Sequence, residues 1–319
     1  MPEYRGDLHV HTARSNGADL TPADVVREAR AAGLDFIATT EHDTVDGHAD
    51  WAPFADTLLV IPGQEVVTRT GHWLSVGSGL LVDSRYGIRD GRIADELARV
   101  RADGGICVAA HPHAPYPSGQ LAYPFELFDA VEVWNGPWTS DVPWQADNHA
   151  AVAEWSRSLA AGRWRPAVGN SDAHLAGQLG TPVTVVRAAA CTAADIVAAV
   201  RAGRCWIAAT ADVSLEFTAS TGAAVAGPGE LLVAGEHPVT VSASVGGVPD
   251  ALIRVHTERG VAVEQRTAEL STTVTDPGFV WVSVRSGDGA MAAMTNPVLL
   301  AGQSPAQPSP SPSRSSAGR

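Results

Sequence analysis

The chain has 319 residues, a formal net charge of −13 and 45% hydrophobic side chains. Its length and apolar content suit a barrel-sized core with a small appendage, while the acidity argues against nucleic acid or an anionic membrane as the main partner, because both call for a basic face. Three scattered cysteines (Cys107, Cys191, Cys205) do not make a disulfide framework, no apolar run spans a bilayer, and the first motif starts at Asp7, so a cytoplasmic protein is expected.

Up to about residue 210, strand-like and helix-like segments alternate. Strands are expected at Asp7–His11, Asp35–Thr40, Leu58–Glu65, Trp73–Gly77, Gly105–His111, Ala130–Asn135, Pro166–Ser171 and Trp206–Ala209. Thr21-Pro22 opens one helix, with threonine as cap and proline at the first position, and Gly33 closes it. Thr192 opens another that ends near Gly203. Such alternation predicts parallel βα units. Beyond residue 210, Val213–Thr218, Pro238–Val245, Leu252–His256 and Phe279–Val284 are β-branched or alternating, with no helix between them, which predicts a small all-β sandwich over 211–302. The Ser/Pro-rich stretch 303–319 has no apolar anchor and reads as a disordered tail.

Eight residues carry the chemistry: His9, His11, His42, Glu65, His72, His111, Asp172 and His174. Residues two apart at a strand end point to the same side, so His9 with His11, and Asp172 with His174, can act in pairs. Taken singly, a histidine near a strand end is more often a hydrogen-bonded core or surface residue than a ligand. As a set at successive strand ends, where barrel enzymes build their sites, they point to metal, and the mix of imidazole and carboxylate suits zinc, iron or manganese rather than calcium or magnesium.

Arg14, in the first loop, could meet a phosphate or simply be solvated. His113, one strand period past His111, could donate to a substrate. Glu41 and Asp43 flank His42 and could orient its ring, though Asp43 serves as well as a helix cap. His48 and His149 read as exposed, and His237 and His256 have no assigned role.

The motifs His9-Val10-His11-Thr12, Glu41-His42-Asp43, Gly63-Gln64-Glu65, Ala110-His111-Pro112 and Ser171-Asp172-Ala173-His174 resemble, in order, those of the PHP (polymerase and histidinol phosphatase) superfamily over residues 4 to about 210. Arg5-Gly6-Asp7, Trp134-Asn135-Gly136 and the β-rich C-terminal region look closest to its carbaryl-hydrolase-like branch. The resemblance implies a distorted (β/α)7, TIM-like barrel over 1–210 and two to three divalent transition-metal ions. It implies that Glu65 bridges two ions, His9, His11 and Asp172 holding the first and His72 with His111 the second. His42 and His174 would hold a third, but where family members often add an aspartate this chain has Asn16, a weaker ligand.

The implied chemistry is hydrolysis by a metal-bridging hydroxide, with phosphoesters as the expected small-molecule substrates. Glu65, Asp172, His113 and Arg14 are the candidate catalytic residues, and Arg14, His113 and Asn135 the candidate substrate contacts. Two alternatives stand beside it. One is a carboxylic or carbamate ester hydrolase, with Trp134, Trp138, Trp144 and Tyr116 lining an apolar pocket. The other is an inactive scaffold or binding module, against which the retention of eight ligand-type residues speaks.

Overall fold

The computed structural model describes residues 1–138, 146–222, 224–234, 238–275 and 277–301. The expected tail at 303–319, Trp144 and His237 lie outside the described residues. The N-terminal part runs β1 (Glu3–Val10), α1 (Pro22–Ala31), β2 (Phe36–Thr39), β3 (Leu59–Thr68), β4 (Gly71–Val76), α2 (Ile93–Ala102), β5 (Ile106–Ala109), β6 (Ala130–Asn135), α3 (Ala146–Ala160), β7 (Ala167–Asn170), β8 (Val183–Arg187), α4 (Ala193–Arg201) and β9 (Cys205–Ala208).

Local chemistry sets the helix boundaries as expected. The Thr21 hydroxyl accepts from the Asp24 amide while Asp24 accepts from Thr21, a reciprocal cap, and Pro22 takes the first turn. Val25, Val26 and Ala29 then bury one face. Thr192 caps α4 with its hydroxyl, which accepts from the Asp195 amide.

Strands β1, β2 and β3 are parallel, as are β5, β6 and β7. The joins β3–β4, β4–β5, β1–β8 and β8–β9 are antiparallel. An unbroken seven-fold βα repeat would contain none of these. What forms is a curled half-barrel sheet, with four α-helices among the described residues. Gly63 lets β3 pass close to its neighbours: a Cβ there would sit 2.5 Å from the Ser75 carbonyl oxygen. The curl returns the end of β7 to the end of β1, where Val10 bridges Ala173 and the His11 amide donates to the Ala173 carbonyl (3.0 Å).

The C-terminal region adds β10 (Ser214–Ser220), β11 (Val225–Ala226), β12 (Leu231–Val233), β13 (Val239–Gly246), β14 (Leu252–Thr257), β15 (Gly260–Arg266), β16 (Glu269–Val274), β17 (Phe279–Arg285), β18 (Met291–Thr295) and β19 (Val298–Ala301). Strands β11, β10, β13 and β16 make a second, separate sheet. Its inner side chains, such as Phe217, Val241 and Leu270, share one buried cluster with Ile253, Val255 and Val282 from the facing strands. The break in character near residue 210 is not a break in the sheet. Ala208, Ile207 and Trp206 of β9 pair with Ala293, Met294 and Thr295 of β18, so the large sheet runs through both regions. Among the described residues no helix is long and apolar enough to cross a membrane.

Candidate metal centre

All eight candidate residues meet at one end of the curled sheet: most follow the C-terminal ends of parallel strands, Glu65 lies within β3, and His72 opens the antiparallel β4. They fall into three overlapping groups: His9, His11, Glu65 and Asp172; Glu65, His72 and His111; and His11, His42 and His174. Glu65, 1% exposed, lies between them. Its Oε2 is 3.3 Å from His9 Nε2, 3.4 Å from His11 Nε2 and 3.0 Å from His42 Nε2. Its Oε1 is 2.8 Å from His72 Nδ1 and 3.1 Å from His111 Nε2. Asp172 Oδ1 completes the first group, 3.2 Å from His9 Nε2 and 3.1 Å from His11 Nε2. Two of these anchor points are strained. His111 (φ 24°) and Asp172 (φ 52°) hold positive backbone angles without being glycine, a conformation that surrounding structure must enforce and that clusters at functional sites.

The donor set fits a metal ion. Ligand atoms about 2.1 Å from one ion and 90–109° apart lie roughly 3.0–3.4 Å from one another, close to the separations found. His9 Nε2, His11 Nε2 and Asp172 Oδ1 are buried with no hydrogen-bond partner, an arrangement that is costly unless something else satisfies them.

Among the protein groups alone, burial opposes charge at His9, but Asp172, Glu132 and Glu65 outweigh it and hold the imidazole well above its ordinary range. At His11 burial dominates and lowers the pKa to about 4. Burial also resists ionisation of Glu65 and Asp172, yet His9 and its neighbours keep both well below the usual carboxylate range. The result is a pair of ionised carboxylates ringed by imidazoles, suited to divalent cations.

Neighbouring polar groups orient the rings. His9 Nδ1–H donates to Glu132 (3.1 Å), a carboxylate that the sequence reading missed inside the apolar run of β6. His11 Nδ1–H donates to Ser15 Oγ (3.0 Å), which donates in turn to Glu41 (2.5 Å) and accepts from the His42 amide (2.9 Å). Glu41 thus acts on His11 rather than on His42, beside which it stands in the chain. Asp43 accepts from the Val67 amide (2.9 Å) and caps no helix. His174 Nδ1–H donates to the Asp172 carbonyl (2.9 Å), leaving Nε2 toward the third group. His42 and His174 line a cavity of about 210 Å³ together with Asn16, Asp43, Tyr116 and the second group.

Other expected contacts lie elsewhere. Arg14 is paired with Asp50 (2.7 Å) and His113 with Glu154 (2.7 Å), and neither lines that cavity. Asn135 sits at the centre's edge, its Nδ2 donating to Glu132 (3.0 Å) and Asp172 (3.2 Å). Trp134 and Trp138 are buried in the core. Of the described aromatic candidates Tyr116 alone reaches the cavity, its ring 6.1 Å from His72 and 6.3 Å from His111.

Comparison with known proteins supports this picture at the level of fold. A solved two-domain protein from Bacteroides vulgatus, containing a predicted PHP-like metal-dependent phosphoesterase, is 17% identical with a TM-score of 0.51, over 93% of this chain and 95% of that one. The chain has a PHP-like fold. The PHP-associated family model matches residues 154–205, which agrees with the PHP superfamily but does not single out a branch. An uncharacterised protein of Methanocaldococcus jannaschii is 25% identical over 41% of this chain and 81% of its own length.

Endonuclease Q, solved with a 27-mer duplex substrate bearing an abasic lesion, is 16% identical with a TM-score of 0.44, over 63% of this chain and 57% of that one. The expectation that nucleic acid is excluded does not stand, because it rested on net charge alone. Net charge describes a whole surface, whereas a site holding cations presents its own local field to a phosphodiester, so an acidic balance is no ground for that exclusion.

Proposed function

We propose that the protein is a metal-dependent hydrolase acting on phosphoesters. The observation that carries this reading is Glu65, which turns one carboxylate oxygen to each of two histidine groups and so suits a shared ligand. In this reading His9, His11, Asp172 and Glu65 hold one ion, and Glu65, His72 and His111 a second. His42 and His174, with His11 shared, hold a third at the cavity mouth. When bound, zinc, manganese or iron in such a set supplies Lewis-acid polarisation and a water of lowered pKa.

The protein's own groups do the rest. Burial of the imidazoles and Glu65 excludes bulk water from the inner groups, and Asn135 steadies Asp172 from the side. The cavity of about 210 Å³ is smaller than a drug-sized pocket and fits a phosphoryl group better than a whole substrate, leaving the remainder over Tyr116. Arg14 and His113 reach such a substrate by exchanging their present carboxylate partners. Within the superfamily we place the chain nearest the carbaryl-hydrolase-like branch, on its opening and Trp134-Asn135-Gly136 motifs.

The test is metal analysis after anaerobic purification without chelator. Reconstitution with manganese, zinc or iron follows, with assays on p-nitrophenyl phosphate, bis-p-nitrophenyl phosphate, p-nitrophenyl acetate and single- and double-stranded oligonucleotides. At least two ions per chain and chelator-sensitive phosphoester cleavage are expected. Less than one ion per chain overturns the metal reading. Cleavage of the acetate alone moves the protein to ester chemistry, and a metal-loaded protein inert on every arm makes it a binding module.

A further inference from the structure

Strand β6 reads Ala-Val-Glu-Val-Trp-Asn, and its packing role would be met by an apolar residue at position 132. Glu132 is instead 1% exposed and carries a carboxylate into the barrel. A carboxylate there is tolerable only if donors surround it, and four do. Oε1 accepts from His9 Nδ1 (3.1 Å) and Asn170 Nδ2 (2.8 Å). Oε2 accepts from the His111 amide (2.8 Å) and Asn135 Nδ2 (3.0 Å).

We propose that Glu132 is the positioning residue of the centre, fixing the His9 tautomer and tying ligands of two groups to one anchor. An ionised carboxylate only accepts, so when His9 is neutral and ligates an ion through Nε2, its one ring proton resides on Nδ1, facing Glu132. The same carboxylate pins the backbone of His111 at its strained φ of 24°. Through Asn135, whose Nδ2 also reaches Asp172 Oδ2 (3.2 Å), it steadies the second strained ligand. His72 and His111 lack such a lock, since the ring nitrogen of each that faces away from Glu65 is buried without a partner. Glu132 therefore locks a ring in the first group alone and holds the second through the His111 backbone. A glutamine cannot replace it, because its NH2 would face two of the four donors and favour a His9 ring that accepts at Nδ1 and carries its proton on Nε2.

This inference rests on the metal reading, and one experiment separates the two. Zinc affinity is measured by chelator competition for wild type and Glu132→Gln, and long-range proton–nitrogen spectra of the zinc-loaded proteins locate the ring protons, with His9 assigned by its loss in His9→Gln. Wild type is expected to show the His9 proton on Nδ1, protected from exchange. Glu132→Gln is expected to bind its tightest zinc ten- to a hundredfold more weakly and to exchange that proton at least roughly tenfold faster. A wild-type His9 proton on Nε2 overturns the inference even if the variant does not fold. Zinc binding within twofold of wild type, with the proton still protected in the variant, also overturns it. A wild type that takes up no zinc overturns the metal reading and this one together.

Discussion

At the scale of single residues, Glu65 and Asn16 make opposite tests of the centre. Glu65 offers an oxygen to each of two groups, so Glu65→Gln should deplete two ions at once and lower kcat/KM by roughly 10³-fold, about 4 kcal/mol of transition-state stabilisation. Metal content and rate are measured together, and a variant that keeps its full metal complement shows that Glu65 bridges nothing. Asn16 lines the cavity beside His42 and His174, and their group borrows His11 from the first. With an amide in place of a carboxylate, the third ion should be the weakest. Asn16→Asp should raise its occupancy, read by anomalous scattering from crystals of parent and variant. A fully occupied third ion in the parent shows that the neutral amide was no handicap.

At the scale of elements, α3 packs Ala151, Trp155 and Leu159 into the core shared with β6, and one polar side chain closes the strand's end. Buried Asn148 accepts from the Asn135 amide (2.9 Å) and donates to the Asn135 carbonyl (3.1 Å), mimicking a strand at the point where β6 ends. Asn148→Ala strands both backbone groups and should cost about 1–3 kcal/mol in urea unfolding, with metal affinity falling as Asn135 loosens. Unchanged stability would show that solvent replaces the pair.

The same strand shows what could and could not be read from the chain. Candidate ligands such as His9, His11 and Asp172, which the fold brings together, stood out because two-residue spacing at a strand end is a local pattern. Glu132 was not, because one acid in an apolar run declares itself only when three other segments bring it donors; its signal was that very isolation. Strand β15 went unseen since it is exposed along nearly its whole length and has no alternation. β18 was hidden for the opposite reason, being buried on both faces and short. The antiparallel joins were beyond reach, since strand direction follows from partners rather than from periodicity.

At the scale of the whole molecule, the two regions share one sheet, and stability should report on both. His256 in β14 stacks on Trp281 with ring centroids 3.8 Å apart and meets Ser283 Oγ at 2.8 Å. Burial, with Arg254 and Arg285 nearby, lowers its pKa to about 4. An unfolded histidine titrates near 6.5, so between these values the unfolded chain binds more protons and folding weakens as pH falls. The contribution is complete above about pH 6.5 and lost by about pH 4, a difference of about 3 kcal/mol. His256→Gln should flatten that part of the stability profile while lowering the plateau through lost stacking. An unchanged slope between pH 6.5 and 4 in chemical denaturation assigns the pH dependence to other groups.

The pairing of β9 with β18 also sets an order of events during synthesis. When β9 leaves the ribosome, every candidate residue of the centre has already been made, yet Trp206, Ile207 and Ala208 present an unpaired edge until β10 through β17 have followed and β18 arrives. An open apolar edge is a template for intermolecular strand pairing. The nascent chain should therefore expose this edge in the interval between making the last candidate residue of the centre and making β18, an interval in which a chaperone would have an apolar edge to shield.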